Sequence, residues 1–332
     1  MKMTTDLPVL LQSFFADRLM RQRRVSPHTI ASYRDTFRLL FCFAQRCLNK
    51  SPSALSLADL DAPFIGTFLE HLERTRGNSA KSRNLRLTAI RSFFRYASFQ
   101  EPGQSDNIQR VLAIPSKRHD RRLIDFLTRP EIDAFLSAPD QETWTGRRDY
   151  ALLLLAIQTG LRLSELIGLH REDVVLETGA HVHCMGKGRK ERCTPLTRHT
   201  RTVLQTWLEE RGGNPTDIAF PNRLGGQFSP DGVQYLVAKH ARKAQEACPS
   251  LKQKKVTPHV LRHTCAMELL QSGVDPAMIA LWLGHDRLET VGIYLDANLT
   301  IKEEILAKTT PIPGRIKRYK PGDKLLEFLQ AL

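Results

Sequence analysis

A chain of 332 residues with 41% apolar and 25% charged side chains has room for two domains and a large core. Its 49 Lys and Arg against 35 Asp and Glu leave a formal charge of +14 and a pI near 9.7, which favours a polyanionic partner, most simply nucleic acid, over an indifferent basic surface. The cysteines (Cys42, Cys47, Cys184, Cys193, Cys248, Cys265) form no CxxC pair and no regular framework, and the longest apolar run, 150–157, is far shorter than the ~20 residues that span a bilayer. A disulfide scaffold and a helical membrane span are thereby excluded, and with no signal peptide at its start the chain is expected in the cytoplasm, at the nucleoid.

Taken in order, residues 7–21 have helical periodicity, and Ser26-Pro27 opens a second helix with Ile30, Tyr33, Phe37, Leu40, Phe41 and Ala44 on one stripe. Residues 61–74 and 79–99 read as a third and a fourth helix. The fourth is expected to bury Leu85, Ile90, Phe93 and Phe94 and to carry Lys81, Arg83, Arg86, Arg91 and Arg95 on its other face. That face reads either as a solvated helix surface or as a stripe that neutralises DNA phosphates. Periodicity is lost over 100–126, where Pro102, Gly103 and Pro115 accompany Lys117, Arg118, Arg121 and Arg122. A helical domain over 1–113 and a basic linker over 114–126 are expected.

Thr128 and Glu131, with Pro130 between them, form a capping box at the start of a second domain. Residues 147–159 are apolar on most sides, hence a core helix that Gly160 ends, just before Arg162 at the head of LRLSELIGL. Two short strands, 181–185 and 191–196, flank the turn Gly186-Lys187-Gly188-Arg189-Lys190. Helices follow near 198–211, 230–247 and 258–272. In the segment 257–294, Thr257-Pro258 and Asp275-Pro276 are helix starts, Gly273 and Gly284 are stops, and Tyr294 closes the run. His259 and Arg262 fall three apart, on one helical face. Thr300 with Glu303 caps another short helix, and the tail 309–332 ends in DKLLEFLQAL, an amphipathic helix whose leucines need a groove to cover them.

Cleaving a phosphodiester through a covalent intermediate needs a nucleophile, neutralisation of charge on the non-bridging oxygens, and an acid for the leaving oxygen. Tyr294 offers the first, Arg162 and Arg262 offer two bidentate clamps, and His259, His285 and Lys187 can donate or shuttle protons. No Asp/Glu cluster is placed for Mg²⁺ and no P-loop is present, so the chemistry reads as free of metal, ATP and any other cofactor.

TGLRLSELIGL, GKGRKERCTPL, HVLRHTCAMELL and LGHDRLETVGIY, in that order, resemble the tyrosine site-specific recombinases, the phage-integrase family with its Xer-type members. The resemblance covers a catalytic domain over about 127–308. It implies an all-α, SAM-like core-binding domain before it, and a mainly α catalytic domain with a small antiparallel sheet. By the resemblance, Arg162 and Arg262 hold the scissile phosphate, Lys187 protonates the leaving 5′ oxygen, His259 assists proton transfer and His285 hydrogen-bonds the phosphate. Tyr294 attacks to give a 3′-phosphotyrosyl link. Glu165, one turn beyond Arg162, would orient that arginine. The partners implied are a specific duplex DNA site and further copies of the chain, or related recombinases, in a synapse of four. A C-terminal helix at 322–332 is expected to dock on a neighbouring protomer, docking in cis being the alternative.

Blander readings attach to several of these residues. A tyrosine on an apolar helix is ordinarily core, but LGH nine residues upstream and the two arginines weigh against that here. His259 and His263 have the spacing of a zincin pair, but Val260 stands where its glutamate belongs, and His263 alone reads as structural. Strand alternation accounts for His181, His183 and Cys184 better than a metal does, and Lys190 competes with Lys187 for the acid role. At the level of function, a type IB topoisomerase-like relaxing activity and a DNA-binding regulator on the same fold stand as alternatives.

Overall fold

The computed structural model describes residues 6–119, 124–186 and 191–284, and the chain divides into two compact units, residues 1–121 and 122–332. In the first unit α1 (Leu7–Ser13) runs on as a π-helical stretch (Phe14–Gln22) and is followed by α2 (Pro27–Leu48), α3 (Ala62–Arg74), α4 (Ala80–Gln100) and α5 (Ser105–Ala113). The starts are local chemistry: Ser26, Asp61 and Ser79 accept the backbone N–H of Thr29, Phe64 and Ser82, and proline occupies the first turn of α2 and α3. The helices close over an aromatic centre in which Phe93 meets Phe14 and Phe37 edge-on, with centroids 5.5 and 5.3 Å apart.

Two expectations change here. The loss of periodicity after residue 100 is not a loss of structure: α5, inside the expected 1–113 domain, buries Ile108 and Val111, too few positions to register as a period in the sequence. Helix α4 is also rotated from the orientation expected of it. Its inner stripe is Arg83, Leu87, Ile90, Phe94 and Ala97, a spacing of alternately four and three that leaves Leu85 60% exposed.

The same rotation withdraws part of the expected basic face. Arg83 is only 6% exposed and donates to the Pro115 carbonyl at 2.8 Å, and burial pulls its guanidinium below the ordinary arginine value. Arg91 donates to the carbonyl of Ile114 and to Ser116 Oγ, and Arg86 to Ser32 O and Thr36 Oγ1 of α2 at 3.1 and 3.0 Å. Asn84 both donates to Lys117 O (2.8 Å) and accepts from Lys117 N–H (3.0 Å), while Lys117 Nζ pairs with Glu73 at 2.7 Å. Arg83, Arg86 and Arg91 thus hold the domain's own chain, and residues 114–117 lie clasped on α4. Lys81, Arg95 and Arg118 remain exposed; Arg121 and Arg122 fall outside the described residues.

The second unit contains α6 (Arg129–Leu136), α7 (Trp144–Thr159), the short α8 (Leu163–Ile167), the strands β1 (Val174–Val175), β2 (His181–Met185) and β3 (Glu191–Pro195), then α9 (Arg198–Arg211), α10 (Pro230–Ala247), α11 (Pro258–Gln271) and α12 (Pro276–Leu283). The strands form an antiparallel sheet in chain order, with Cys184 opposite Arg192; β1 and α8 are too short for the sequence to announce. The all-α first domain and the mainly α second domain with its small antiparallel sheet agree with the expected fold class. Helix α7 is buried along most of its length, and a buried Arg148–Asp149–His240 chain (2.6 and 2.8 Å) ties it to α10. The Thr128 N–H donates to Glu131, the second half of the expected capping box. No described helix is long and apolar enough to cross a membrane.

Candidate active site

Arg162 and Arg262 are 100 residues apart in the chain, and a glycine lets them meet. Gly160 ends α7 with φ +62°, and a Cβ there would stand 2.6 Å from Leu283 Cδ2 and 3.1 Å from Cys265 Sγ. The chain turns at once into α8, with Arg162 at its N-cap (ψ 152°). Glu165, in the first turn, accepts the Arg162 backbone N–H at 2.7 Å and Arg162 Nη1 at 2.8 Å. The carboxylate therefore caps α8 and fixes the guanidinium together.

Helix α11 supplies the second arginine. Thr257 caps it by accepting from the Val260 N–H, Pro258 fills the first position, and Arg262 follows one turn later. Arg262, 6% exposed, donates to Gly160 O at 2.5 Å and to Leu283 O at 2.6 Å. Arg162, whose side chain is 26% exposed, donates to Gly284 O at 2.6 Å. Arg192 of β3 donates to Leu283 O at 2.6 Å and to Glu165 Oε2 at 2.7 Å. Helix carbonyls at a C-terminus have no partner within the helix and carry a partial negative charge, so the end of α12 collects three guanidiniums. Gly284, at φ +64°, makes the close approach feasible: a Cβ there would lie 2.3 Å from Arg192 Nη1.

His259 is exposed in the first turn of α11, while Arg262, three residues on, is buried against α7 and α12. Burial, with added repulsion from His259 and Arg262, pushes His263 down to about 4, so His263 is neutral near pH 7. Burial pushes the Cys265 thiol up to about 12, which makes it a packing group rather than a nucleophile. His181 and His183 alternate with the buried Val182 and Cys184, and His183 lies between Asp173 and Glu191 at 3.8 and 3.6 Å. Among the described residues no group of three His, Cys, Asp or Glu is placed to hold a metal ion. Lys187, Lys190, His285, Tyr294, the cap at Thr300 and the tail at 309–332 lie outside the described residues.

Arg192 is the residue that the reading of the sequence missed. A signal was present: alternation along β3 turns Glu191 and Cys193 outward and Arg192 and Thr194 inward, and a charge at an inward strand position demands a partner.

The two arginines set beside a helix end belong to a tyrosine recombinase, a DNA strand transferase, as the family match and the relatives show. Residues 125–300 match the phage integrase family and residues 12–101 its N-terminal SAM-like domain, and the chain belongs to the phage integrase family. It is 58% identical over 327 residues, 98% of each chain, to a Sinorhizobium fredii protein that carries an integrase/recombinase name, y4rC. It is 32% identical over 294 residues to the tyrosine recombinase XerC of Pelobacter propionicus, covering 88% of this chain and 92% of that one. In fold it is similar to the XerH site-specific recombinase bound to a palindromic difH substrate (TM-score 0.68, 24% identity, 86% and 81% of the two chains). It is likewise similar in fold to the Tn1549 transposon integrase in complex with circular intermediate DNA (TM-score 0.67, 18% identity, 91% and 99%).

Proposed function

We propose that the protein is a site-specific recombinase or integrase that breaks and rejoins duplex DNA through a 3′-phosphotyrosyl intermediate and needs neither metal nor ATP. The observation that carries this reading is the convergence of Arg162 and Arg262 on the end of α12, from which the chain runs directly into His285 and Tyr294. A phosphodiester placed there would meet two fixed guanidiniums, and such donors cost no reorganisation when charge builds on the non-bridging oxygens.

In the reaction the Tyr294 oxygen attacks phosphorus while its proton passes to His259. The bond from phosphorus to the 5′ oxygen breaks, and that oxygen takes a proton from Lys187. Attack by the 5′ hydroxyl of a partner strand on the phosphotyrosine reverses these steps and releases Tyr294. One phosphoester replaces another, so no external energy source is required. Glu165 holds Arg162 in register, and His285 donates to the phosphate. Duplex DNA carrying a specific site is the substrate, bound by both domains (residues 1–113 and 127–308, joined by 114–126), with Lys81, Arg95, Arg118, Arg121 and Arg122 on phosphates. Strand exchange calls for a synapse of four protomers, and the tail at 322–332 is read as the contact between neighbours.

The test is a nicked substrate that traps the adduct. The unmodified chain should form an SDS-stable DNA adduct in EDTA, and Tyr294→Phe should form none while binding DNA as before. Loss of the adduct in EDTA, or loss of binding together with cleavage in Tyr294→Phe, would count against the reading. Relaxation of supercoiled DNA with no sequence requirement would favour the type IB topoisomerase alternative.

A further inference from the structure

The structure assigns Arg192 as a positioning residue for the strand-cleavage reaction: by sharing Glu165 with Arg162 and holding the end of α12, it keeps the Arg162 guanidinium aimed at, and charged toward, the scissile phosphate. The inference rests on the recombinase reading above and adds a residue to it.

Geometry comes first. Glu165 receives Arg162 through its backbone N–H and Nη1, and Arg192 through Nη2 at 2.7 Å. Its side chain is 3% exposed, so the two arginines share one desolvated negative charge. Arg192 is itself nearly enclosed, with 11% of its side chain exposed, and its other fork donates to Leu283 O, the acceptor that Arg262 also uses. One side chain on a strand thus touches both the support of Arg162 and the carbonyl that locates Arg262. Buried in this way, Arg192 leaves its Nε without a partner, a cost of burial that it shares with Arg83 and Arg91 of the first unit.

Electrostatics gives the consequence. With Arg192 absent, Glu165 would be left to Arg162 alone, and a carboxylate paired one-to-one in a low-dielectric site cancels most of its partner's field. With Arg192 present, two guanidiniums share that one carboxylate, and the surplus positive charge beside it is available to an incoming phosphate. The α12 carbonyls stabilise that surplus before DNA arrives, which is how a cationic site is assembled without an anion in it.

The experiment compares single-turnover strand cleavage by the full chain on two suicide substrates, one with the natural scissile phosphate and one with a methylphosphonate there. The methylphosphonate is neutral and makes little demand on the charge of Arg162. Arg192→Ala is expected to slow cleavage of the phosphate substrate by about 10- to 100-fold, the usual cost of losing a group that orients a first-contact residue. DNA binding should be unchanged, and the methylphosphonate should be slowed much less. Arg192→Lys should recover part of the loss, because a single ammonium reaches one of the two acceptors but not both. If Arg192→Ala does not fold by circular dichroism, the same ratio is read from Arg192→Lys. Equal slowing on both substrates, or none, with a normal adduct from the unmodified chain, overturns this inference alone. No adduct from the unmodified chain overturns the recombinase reading and this inference with it.

Discussion

Gly160→Ala tests how the site is assembled without touching any group that performs chemistry. Two costs add. Alanine in the left-handed region at φ +62° costs about 1–2 kcal/mol over glycine. The new Cβ also stands 2.6 Å from Leu283 Cδ2, a contact that must open by about 0.8 Å to reach the 3.4 Å of ordinary packing. Leu283 is fully enclosed, so it cannot swing aside cheaply, and forced repacking of this kind costs about 1–3 kcal/mol. Denaturant unfolding should therefore register a loss of about 2–5 kcal/mol.

The displacement also falls on atoms that locate both arginines, because Arg262 donates to the carbonyls of Gly160 and Leu283 and Arg162 to that of Gly284. A shift approaching 1 Å in groups that position a reacting phosphate costs up to about 10²-fold in rate. Single-turnover cleavage should fall by that order while DNA affinity changes little. A stability within about 0.5 kcal/mol of the unmodified chain, the range of an indifferent surface change, would refute the reasoning, as would an unchanged cleavage rate.

Four further outcomes are expected. Asn84→Ala removes both hydrogen bonds to Lys117 and should release residues 114–117 from α4, seen as faster amide exchange at Lys117 and a loss of about 1–2 kcal/mol in stability; unchanged protection at Lys117 would contradict the clasp. Acid should destabilise the fold from about pH 6.5 downward. His263 takes its proton near 6.5 when unfolded but only near 4 when folded, so stability falls with pH across that window and then levels, by about 1–2 kcal/mol after allowing for its partial exposure, and His263→Gln should flatten the slope. A second loss in acid comes from Glu131: burial raises it, but hydrogen bonds from Lys254, Ser250 and the Thr128 N–H outweigh this and hold its folded value below the unfolded one, so its contribution disappears as pH falls through the folded value, and Glu131→Gln should remove this step from urea titrations. Finally, truncation before Pro321 should weaken cooperative assembly on paired DNA sites in gel-shift experiments while leaving single-site binding intact; undiminished cooperativity would argue that the tail makes no contact between neighbours.

What could be read directly from the sequence was local in origin. Thr257-Pro258, Asp275-Pro276 and the Thr128/Glu131 box start helices because capping is settled within four residues, and Gly160 and Gly284 end them because left-handed φ is cheap only for glycine. The arginines at 162 and 262 were legible for a different reason: their motifs resemble those of a family, and motif order survives without any knowledge of packing. Periodicity reached less far. On α4 a rotation of part of a turn decides whether a residue faces core or solvent, and the sequence pattern alone placed Leu85 inside and Arg83 outside, the reverse of the fold.

Only the tertiary structure decided which charges meet. Arg83 could not be told from Lys81 until residues 114–117 lay down beside α4. Glu165 accepts Arg162 three residues away, as helical spacing suggests, but its second partner comes from 27 residues further on. Leu283 contributes nothing polar in its side chain, yet its carbonyl receives Arg192 and Arg262 from 91 and 21 residues away. Backbone acceptors carry no side-chain signature, so a site built on the end of a helix is invisible until the helix has been placed.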